Sequence, residues 1–194
     1  MQTVLFLTSN EEKFTWAKKK LEPYDIKLER NDFGLPEIQS VDTEQVAREK
    51  AEYATRFIQQ PFFVADTGFE IEALDGFPGA FLKPVMNTIG AEGLCKLMED
   101  EDDRSCNFKS VLAYVDQDGD IHTFTCNDTG TMAVEPTGEQ RDQWGDIMRL
   151  HQPDGFDKTL AEMTDDEFSS YEDRMESEEH YVKFAEWFAG RDDT

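Results

Sequence analysis

Residues 64–84 read VADTGFEIEALDGFPGAFLKP and set the architecture that we expect for the chain. An apolar run ends in an acid, Asp66, with Thr67-Gly68 directly behind it. The pattern predicts two strands, at residues 62–65 and 69–74, separated by a glycine turn. A carboxylate at a strand end beside such a turn suits an exposed metal or acid/base site on a rigid support. The alternative is two structural strands joined by an ordinary turn.

The N-terminus combines a strand, a polar loop and a helix. Residues 3–7 form a short apolar run, and a helix is predicted at residues 14–21, where Pro23 stops it. The loop between them, Thr8-Ser9-Asn10-Glu11-Glu12-Lys13, places a hydroxyl, an amide and an ammonium at the positive end of the helix. These groups could hold a phosphate chain, and the alternative is a capped helix with a solvated lysine. The loop lacks the glycine spacing of a Walker loop.

Strands and helices are mixed along the rest of the chain. Periodicity predicts a strand at 26–28, a helix from Asp42 or Thr43 to 58, a helix at 92–99, a hairpin of strands 110–115 and 121–126, more strand at 130–134, a helix capped by Thr164 and a last helix at about 178–189. Residues 135–157 are polar and weakly patterned. The mixture predicts an α/β fold with an antiparallel portion.

The charge composition excludes two classes of partner. The 194 residues include 43 acidic and 19 basic side chains, which give a net charge of −24. Such a surface repels nucleic acid polymers and anionic membranes, so a phosphate-bearing ligand needs local cations or a metal ion. The acids are scattered, and adaptation to high salt is one explanation of this acidic surface.

The cysteines and the lengths of the apolar runs indicate the cellular location that we expect for the protein. The three cysteines lie far apart and form no CxxC pair, which predicts reduced thiols in a cytoplasmic protein. No apolar stretch is long enough to cross a membrane. His122, His151 and His180 show no metal-ligand spacing, so we interpret them as structural or surface residues.

Five segments, in order, resemble a known family. They are Thr8-Ser9-Asn10-Glu11-Glu12-Lys13, Leu35-Pro36-Glu37-Ile38-Gln39, Ala65-Asp66-Thr67-Gly68 with Gly76-Phe77-Pro78-Gly79, Ser110 to Tyr114, and Pro153-Asp154-Gly155 with Thr159 to Met163. Together they resemble the inosine triphosphate pyrophosphatase family, the Ham1-like pyrophosphatases of non-canonical purine nucleoside triphosphates. Five ordered matches over nearly the whole chain are far more specific than any one of them.

The resemblance implies a fold, an activity and an assembly. The fold is α/β, with an elongated mixed β-sheet flanked by helices and two lobes that enclose a central nucleotide cleft. Residues 1–194 would form this single domain, commonly as a homodimer. The activity is Mg²⁺-dependent attack of water on a nucleoside triphosphate, which yields the monophosphate and pyrophosphate.

The resemblance also implies residue roles by position in the matched motifs. Asp66 would be the catalytic residue that binds Mg²⁺ or orients water, and Glu44 would be a second metal ligand. The substrate-binding residues would be Thr8, Ser9, Asn10, Lys13, Thr67, Lys83, Trp144, Asp146 and Arg174.

The phosphate end of the expected site departs from the family pattern at two positions. Ala65 stands where the family has the first acid of an acidic pair. The metal-binding glutamate of the family aligns with Glu44 or with Gln45, and only Glu44 could serve. One or two carboxylates are therefore lost from the metal site.

The base end departs further. Trp144-Gly145-Asp146 replaces the base-recognition segment, and Trp144 is either a residue that stacks on the base or a packed core residue. Glu172-Asp173-Arg174 replaces the Ser-His-Arg of the family, and Phe168 stands where a phosphate-holding lysine is expected. The two acids would repel a triphosphate unless a metal or salt intervened.

These departures leave two main hypotheses about function. The first is a nucleoside triphosphate pyrophosphatase with altered base preference. The alternative is a catalytically impaired paralogue that binds nucleotide without turnover, and a weaker third hypothesis is a dimerising scaffold. Pyrophosphate release from a panel of nucleotides separates an enzyme from the other two.

Overall fold

A seven-stranded mixed sheet forms the centre of the protein in the computed structural model, which describes residues 2–139 and 145–193. The strands are β1 (Gln2–Leu7), β2 (Ile26–Asn31), β3 (Phe62–Ile71), β4 (Pro78–Gly79), β5 (Ser105–Val115), β6 (Ile121–Met132) and β7 (His151–Pro153). Their order is β2-β1-β3-β5-β6-β7, with β4 paired to β3. β1 is parallel to β2 and β3, and the other pairs are antiparallel. The α/β class with an antiparallel portion is confirmed.

Within residues 2–139 and 145–193, six α-helices flank the sheet. They are α1 (Glu11–Leu21), α2 (Thr43–Ala54), α3 (Leu82–Met86), α4 (Gly90–Leu97), α5 (Asp165–Met175) and α6 (His180–Ala189). The N-termini of α1, α2 and α5 are capped, since the side chains of Asn10, Asp42 and Thr164 accept hydrogen bonds from their first-turn amides. No helix within the described residues has the length and apolar character needed to cross a bilayer.

Both faces of the sheet are covered. On one face, Phe6 and Phe63 stack with ring centroids 4.4 Å apart and pack with Phe184 of α6 and with α1. On the other face, Phe62 and its neighbours pack against the alanines of α2. Each large side chain buried in this way contributes about 1.5–3 kcal/mol relative to an exposed one. A third cluster, under α3 and α4, extends the core toward β4 and β7.

The prediction of two short strands around Asp66 was wrong. Residues 62–71 form one strand, because β5 pairs with every one of them, from Phe62 opposite Val115 to Ile71 opposite Cys106. Residues 72–74 form a 3₁₀ turn instead of strand. Asp66 therefore lies in the middle of a strand rather than at its end.

Gly68 is required for close packing and not for a turn. A Cβ atom at this position would lie 2.2 Å from Thr43 Oγ1 and 2.7 Å from the carbonyl carbon of Gly79. The N-terminus of α2 and strand β4 can approach β3 only because the side chain is missing. A glycine within a strand can indicate either a close approach of another element or a bend in the strand. The sequence pattern does not distinguish these two cases.

The remaining elements lie close to their predicted positions. The hairpin turn at residues 116–119 is confirmed by a hydrogen bond from the Gly119 amide to the Asp116 carbonyl. Strand β5 begins five residues earlier than predicted, at Ser105. Part of the weakly patterned segment is ordered as a 3₁₀ helix, Asp146–Arg149, followed by β7.

Two glycines of the loop that follows β3 provide a matched test of packing. Both have a left-handed backbone, with φ of 51° at Gly79 and 82° at Gly76, but only at Gly79 would a Cβ meet an atom, the Val41 carbonyl oxygen at 1.9 Å. We expect Gly76→Ala to lower the free energy of unfolding by about 1–2 kcal/mol through backbone strain. Gly79→Ala should cost a further ~1–3 kcal/mol through the clash. Urea unfolding measures both, and equal losses would contradict the packing role.

Candidate nucleotide site

The loop between β1 and α1 exposes its backbone at the positive end of a helix. Thr8 Oγ1 accepts a hydrogen bond from the Asn10 amide at 3.1 Å, and Asn10 Oδ1 accepts from the Lys13 amide at 3.0 Å. Ser9 is exposed beside them. The predicted capped helix is therefore present, and its first-turn amides and dipole favour an anion at this loop.

Lys13, Lys50 and Lys83 belong to three different helices and lie near one another, and Lys50 contacts the carboxylate of Asp66. Burial is the main cause that lowers the pKa of Lys13, and the nearby ammonium groups of Lys50 and Lys83 lower it further. The attraction of Asp66 and Glu37 opposes this shift. We call Lys13, Lys50 and Lys83 the lysine cluster. Because ammonium groups repel one another, such a cluster is stabilised by a polyanion.

Lys50 bridges two carboxylates, and the sequence motifs did not predict this role. Its Nζ lies 2.6 Å from Asp66 Oδ2 and 2.7 Å from Glu37 Oε1. Burial alone would lower the pKa of Lys50, but the attraction of Asp66, with hydrogen bonds to both carboxylates, raises it above its ordinary value. The sequence contains one sign of this role. Lys50 lies four residues after Val46 and three after Ala47, and this helical spacing places it on the apolar face of α2. A charge in such a stripe indicates a buried partner.

Alternation along β3 directs two neighbouring side chains to opposite faces of the sheet. Asp66 faces α2 and Lys50, while its Oδ1 accepts from the Thr67 amide at 3.0 Å. Thr67 lies opposite Ser110 of β5, with the two hydroxyl oxygens 3.4 Å apart. Thr67 and Ser110 share the face on which a cavity opens.

This cavity, which we call the α5 cavity, lies between the sheet and helix α5. It encloses about 730 Å³ including its open mouth, and side chains of α1, β5, β6, β7, α5 and α6 line it. Its apolar wall includes Trp16, Phe108 and Phe168, and its polar wall includes Ser110 and Asp128. Trp16 is one helical turn from Lys13, so the cavity adjoins the lysine cluster. A mostly apolar cavity beside a cluster of cations suits a nucleoside.

A buried polar network forms the floor of the α5 cavity. Asp128 Oδ2 accepts from the Tyr171 hydroxyl at 2.7 Å and lies 2.8 Å from His151 Nε2. Burial and the Asp128 carboxylate raise the pKa of Tyr171, so the phenol stays protonated and donates. Burial likewise raises the pKa of Cys106 to about 12, and its thiol lies 3.5 Å from His151 Nδ1. His151 is structural, as predicted. Asp128 was missed, although the alternating pattern of β6 places it inward.

The comparison with known families decides the relationship of this chain. The sequence profile of the Ham1 family matches residues 4–184. The chain belongs to the Ham1 family. The relationship that the five sequence segments predicted is therefore confirmed.

Relatives and solved structures of Ham1 proteins agree with this assignment. A protein named dITP/XTP pyrophosphatase from Methanopyrus kandleri is 40% identical over 185 residues, which cover 95% of each chain. The dITP/XTP pyrophosphatase of Thermococcus kodakarensis is 40% identical over 162 residues, which cover 84% of this chain and 85% of that one. The Staphylococcus aureus Ham1 protein has a TM-score of 0.78 at 19% identity, with 98% of this chain and 100% of that chain covered. The likeness confirms a mixed sheet flanked by helices.

Other residues implicated by the Ham1 resemblance have partners outside the lysine cluster. Glu44 Oε1 contacts the Thr123 hydroxyl at 3.3 Å, and Asp146 Oδ1 pairs with Arg149 at 2.9 Å. The guanidinium of Arg174 donates to the Asp154 carbonyl and lies over the Phe156 ring. Trp144 lies outside the described residues.

The carboxylates around Asp66 can hold Mg²⁺ only if substrate phosphates and water supply the remaining ligands of the ion. Asp66 and Glu37 offer hard carboxylate oxygens, and Lys50 already bridges them. Within residues 2–139 and 145–193 no three acidic, histidine or cysteine side chains converge on a point that could hold a metal ion. Mg²⁺ is commonly bound by one or two carboxylates together with substrate phosphates and water. The residues present fit that mode and do not form a cage of protein ligands.

The network under the α5 cavity predicts a loss of stability when one donor is removed. Tyr171→Phe takes a hydrogen bond from a buried carboxylate and should lower the free energy of unfolding by about 1–3 kcal/mol. The matched control is Tyr24→Phe, whose hydroxyl lies 3.5 Å from Glu186 at the surface and should change stability by less than about 0.5 kcal/mol. Chemical denaturation measures both variants, and similar effects would refute the role of the network.

Proposed function

We propose that this Ham1 protein hydrolyses nucleoside triphosphates to the monophosphate and pyrophosphate. The observation that carries the proposal is the salt bridge between Lys50 and Asp66, close to Lys13 and Lys83 and beside the N-terminus of α1. In a chain of net charge −24, this local excess of cations is suited to a polyphosphate. Relatives at 40% identity are named dITP/XTP pyrophosphatases, which supports the same reaction class.

The side chains of the site have distinct roles in this proposal. Lys13, Lys83 and the amides of the β1–α1 loop bind the phosphate oxygens, because they supply positive charge and hydrogen-bond donors. Lys50 holds Asp66 in place, and Asp66 orients the water that adds across the bond between the α- and β-phosphates. The water oxygen bonds to the α-phosphorus as the bond from that phosphorus to the pyrophosphate oxygen breaks, and the proton that the water loses passes to solvent. Mg²⁺, held by Asp66 and Glu37, would neutralise phosphate charge when bound with the nucleotide.

We further infer that the base preference differs from that implied by the names of the relatives. Glu172 stands where the family has a serine for base recognition, and it lines the α5 cavity. A carboxylate and a hydroxyl present different hydrogen-bonding groups to a base, since an ionised carboxylate only accepts. This replacement supports a changed preference.

We also infer a cytoplasmic homodimer. Cys95, Cys106 and Cys126 are free thiols, which suits a reducing compartment. The apolar side chains of Ile89 and Leu97 on and beside α4 are about half exposed, which suits a protein contact. Light scattering coupled to size-exclusion chromatography tests the dimer.

Pyrophosphate release tests the reaction itself. The purified protein is incubated with Mg²⁺ and a panel of ordinary and oxo-base nucleoside triphosphates, at low and high salt. We expect release, and a fall in kcat/KM of at least about 100-fold in Lys13→Ala and in Asp66→Asn, because each removes charge stabilisation or water positioning from the transition state. Lys27→Ala, which removes an exposed lysine from β2, is the control and should retain wild-type activity.

Two outcomes would count against the reaction. Absence of release from every nucleotide at every salt concentration would exclude the enzyme. Nucleotide binding without release would then identify the impaired paralogue. Two features of this chain would suit such a paralogue. An acid of the metal site is replaced by Ala65, and Lys50 already occupies the carboxylate of Asp66.

A further inference from the structure

A groove lies on the solvent side of α2, away from the nucleotide site. It runs between the loop at residues 36–38 and an exposed stripe of the helix, and it encloses about 470 Å³ including its open mouth. One wall consists of residues at helical spacing along α2 and the turn after it, and the other wall belongs to the loop. The lining residues are Glu49, Glu52, Tyr53 and Arg56 on the first wall and Pro36, Glu37 and Ile38 on the second.

Apolar side chains are exposed within this groove and beside it. Ile38 in its wall is 37% exposed, and Phe57, the residue after Arg56, is 54% exposed. The ring of Phe57 is packed on one side, since its centroid lies 5.4 Å from that of Tyr53 and 5.5 Å from that of Phe33. We call the groove together with Phe57 the α2 groove. An exposed apolar patch rimmed by charged groups is typical of a protein-interaction site.

The rim of the α2 groove is acidic. Glu37, Glu49 and Glu52 supply three carboxylates, against the one guanidinium of Arg56 among the lining residues. Glu49 and Glu52 are exposed, and within residues 2–139 and 145–193 their carboxylates make no hydrogen bond or ion pair. Two acids beside an apolar patch are therefore available to a cationic partner.

Tyr53 adds a surface that a guanidinium recognises. The guanidinium carbon of Arg56 lies 5.5 Å from the centroid of the Tyr53 ring. Arg56 is exposed, so it can move aside for a competing cation. Glu49 precedes Tyr53 by one helical turn, and a group that reaches the ring also comes close to this carboxylate. An aromatic face next to an acid suits arginine better than lysine, because the planar guanidinium stacks and pairs at once.

We propose that the α2 groove docks an arginine-bearing, aromatic segment of a partner protein. Charge complementarity carries the choice of partner. A chain of net charge −24 attracts basic proteins at long range, and the α2 groove adds the ring and apolar contacts that a diffuse acidic surface lacks. A groove of this size receives only a few side chains, so the partner presents a short segment.

Docking would act on the nucleotide site through Glu37. Glu37 Oε1 lies 2.7 Å from Lys50 Nζ, and Lys50 in turn contacts Asp66. A guanidinium that pairs with Glu37 competes with Lys50 for the same carboxylate. This coupling rests on the proposed function, and a saturating partner should change kcat/KM for pyrophosphate release by at least about threefold.

A fluorescein-labelled peptide, Gly-Arg-Trp-Arg-Trp-Arg-Gly, tests docking by fluorescence anisotropy. We expect saturable binding to the full chain. The same peptide with citrulline in place of every arginine should bind at least about tenfold more weakly, because citrulline keeps the shape of the side chain and lacks its charge. Equal binding of the two peptides, or binding of neither, would overturn the proposal. A dimer that Phe57→Ser abolishes, without peptide binding, would assign the groove to a second copy of the chain instead.

Substitutions place the peptide in the groove. Glu49→Gln combined with Glu52→Gln should weaken binding at least about threefold. The matched control, Asp100→Asn combined with Asp102→Asn, removes the same charge from the exposed segment between α4 and β5 and should leave binding unchanged. Tyr53→Leu should also weaken binding at least about threefold, with circular dichroism to confirm folding. Equal effects of the two charge pairs would indicate unspecific attraction and refute the groove as the docking site.

Failure of catalysis can be separated from failure of docking. If no nucleotide releases pyrophosphate, the proposed reaction is wrong, and anisotropy with the same variants decides the docking alone. If the enzyme is active and kcat/KM stays constant at saturating peptide, the coupling through Glu37 is wrong. A change in kcat/KM that disappears in the Glu49 and Glu52 double variant would support both docking and coupling.

Discussion

The continuous pairing of β3 with β5 is the constraint on which the rest of the site depends. Ten consecutive residues of β3 have partners on β5, so the strand cannot bend at Thr67-Gly68. Because side chains alternate along a strand, Asp66 and Thr67 face opposite sides of the sheet. Asp66 therefore faces Lys50, and Thr67 lies beside Ser110 on the face of the sheet where the α5 cavity opens. The groups that we propose to bind phosphate and base are fixed relative to each other by a single pair of strands.

The lysine cluster and the α5 cavity also differ in charge. The chain is strongly acidic, yet Lys13, Lys50 and Lys83 lie close together beside Asp66, where the helix end adds further positive potential. The α5 cavity carries carboxylates instead, and two of them are satisfied by Lys20 and by the N-terminus of α6. A nucleotide laid across these regions would place its anionic part among the cations and its ring in the mostly apolar cavity.

The sequence predicted those parts of the fold that depend on local signals. The strand–loop–helix at the N-terminus, the capping residues Asn10 and Thr164 and the turn at 116–119 follow from hydrogen bonds within a few residues, and each is present. The turn at Gly68 was wrong, because the reason for that glycine is the approach of Thr43 from another element. No local pattern records that contact.

The partners of the site were harder to predict for the same reason. Lys13 and Asp66 were found through motifs, but Lys50 and Asp128 have meaning only through Glu37, His151 and Tyr171, which are distant in sequence. Both missed residues nevertheless break the apolar periodicity of their elements. A charged residue at an inward position is therefore a useful signal of a buried polar partner.

The bridge from Lys50 to Asp66 and Glu37 means that the site contains its own counter-ion. An arriving divalent cation competes with an ammonium that is already in contact with both carboxylates. A polyphosphate that binds together with the cation would change that competition. It would give Lys50 a new anionic partner while the cation takes the carboxylates of Asp66 and Glu37. In the proposed reaction, binding at this site would be an exchange of ions, in which metal and nucleotide together displace an internal salt bridge that neither would displace as easily alone.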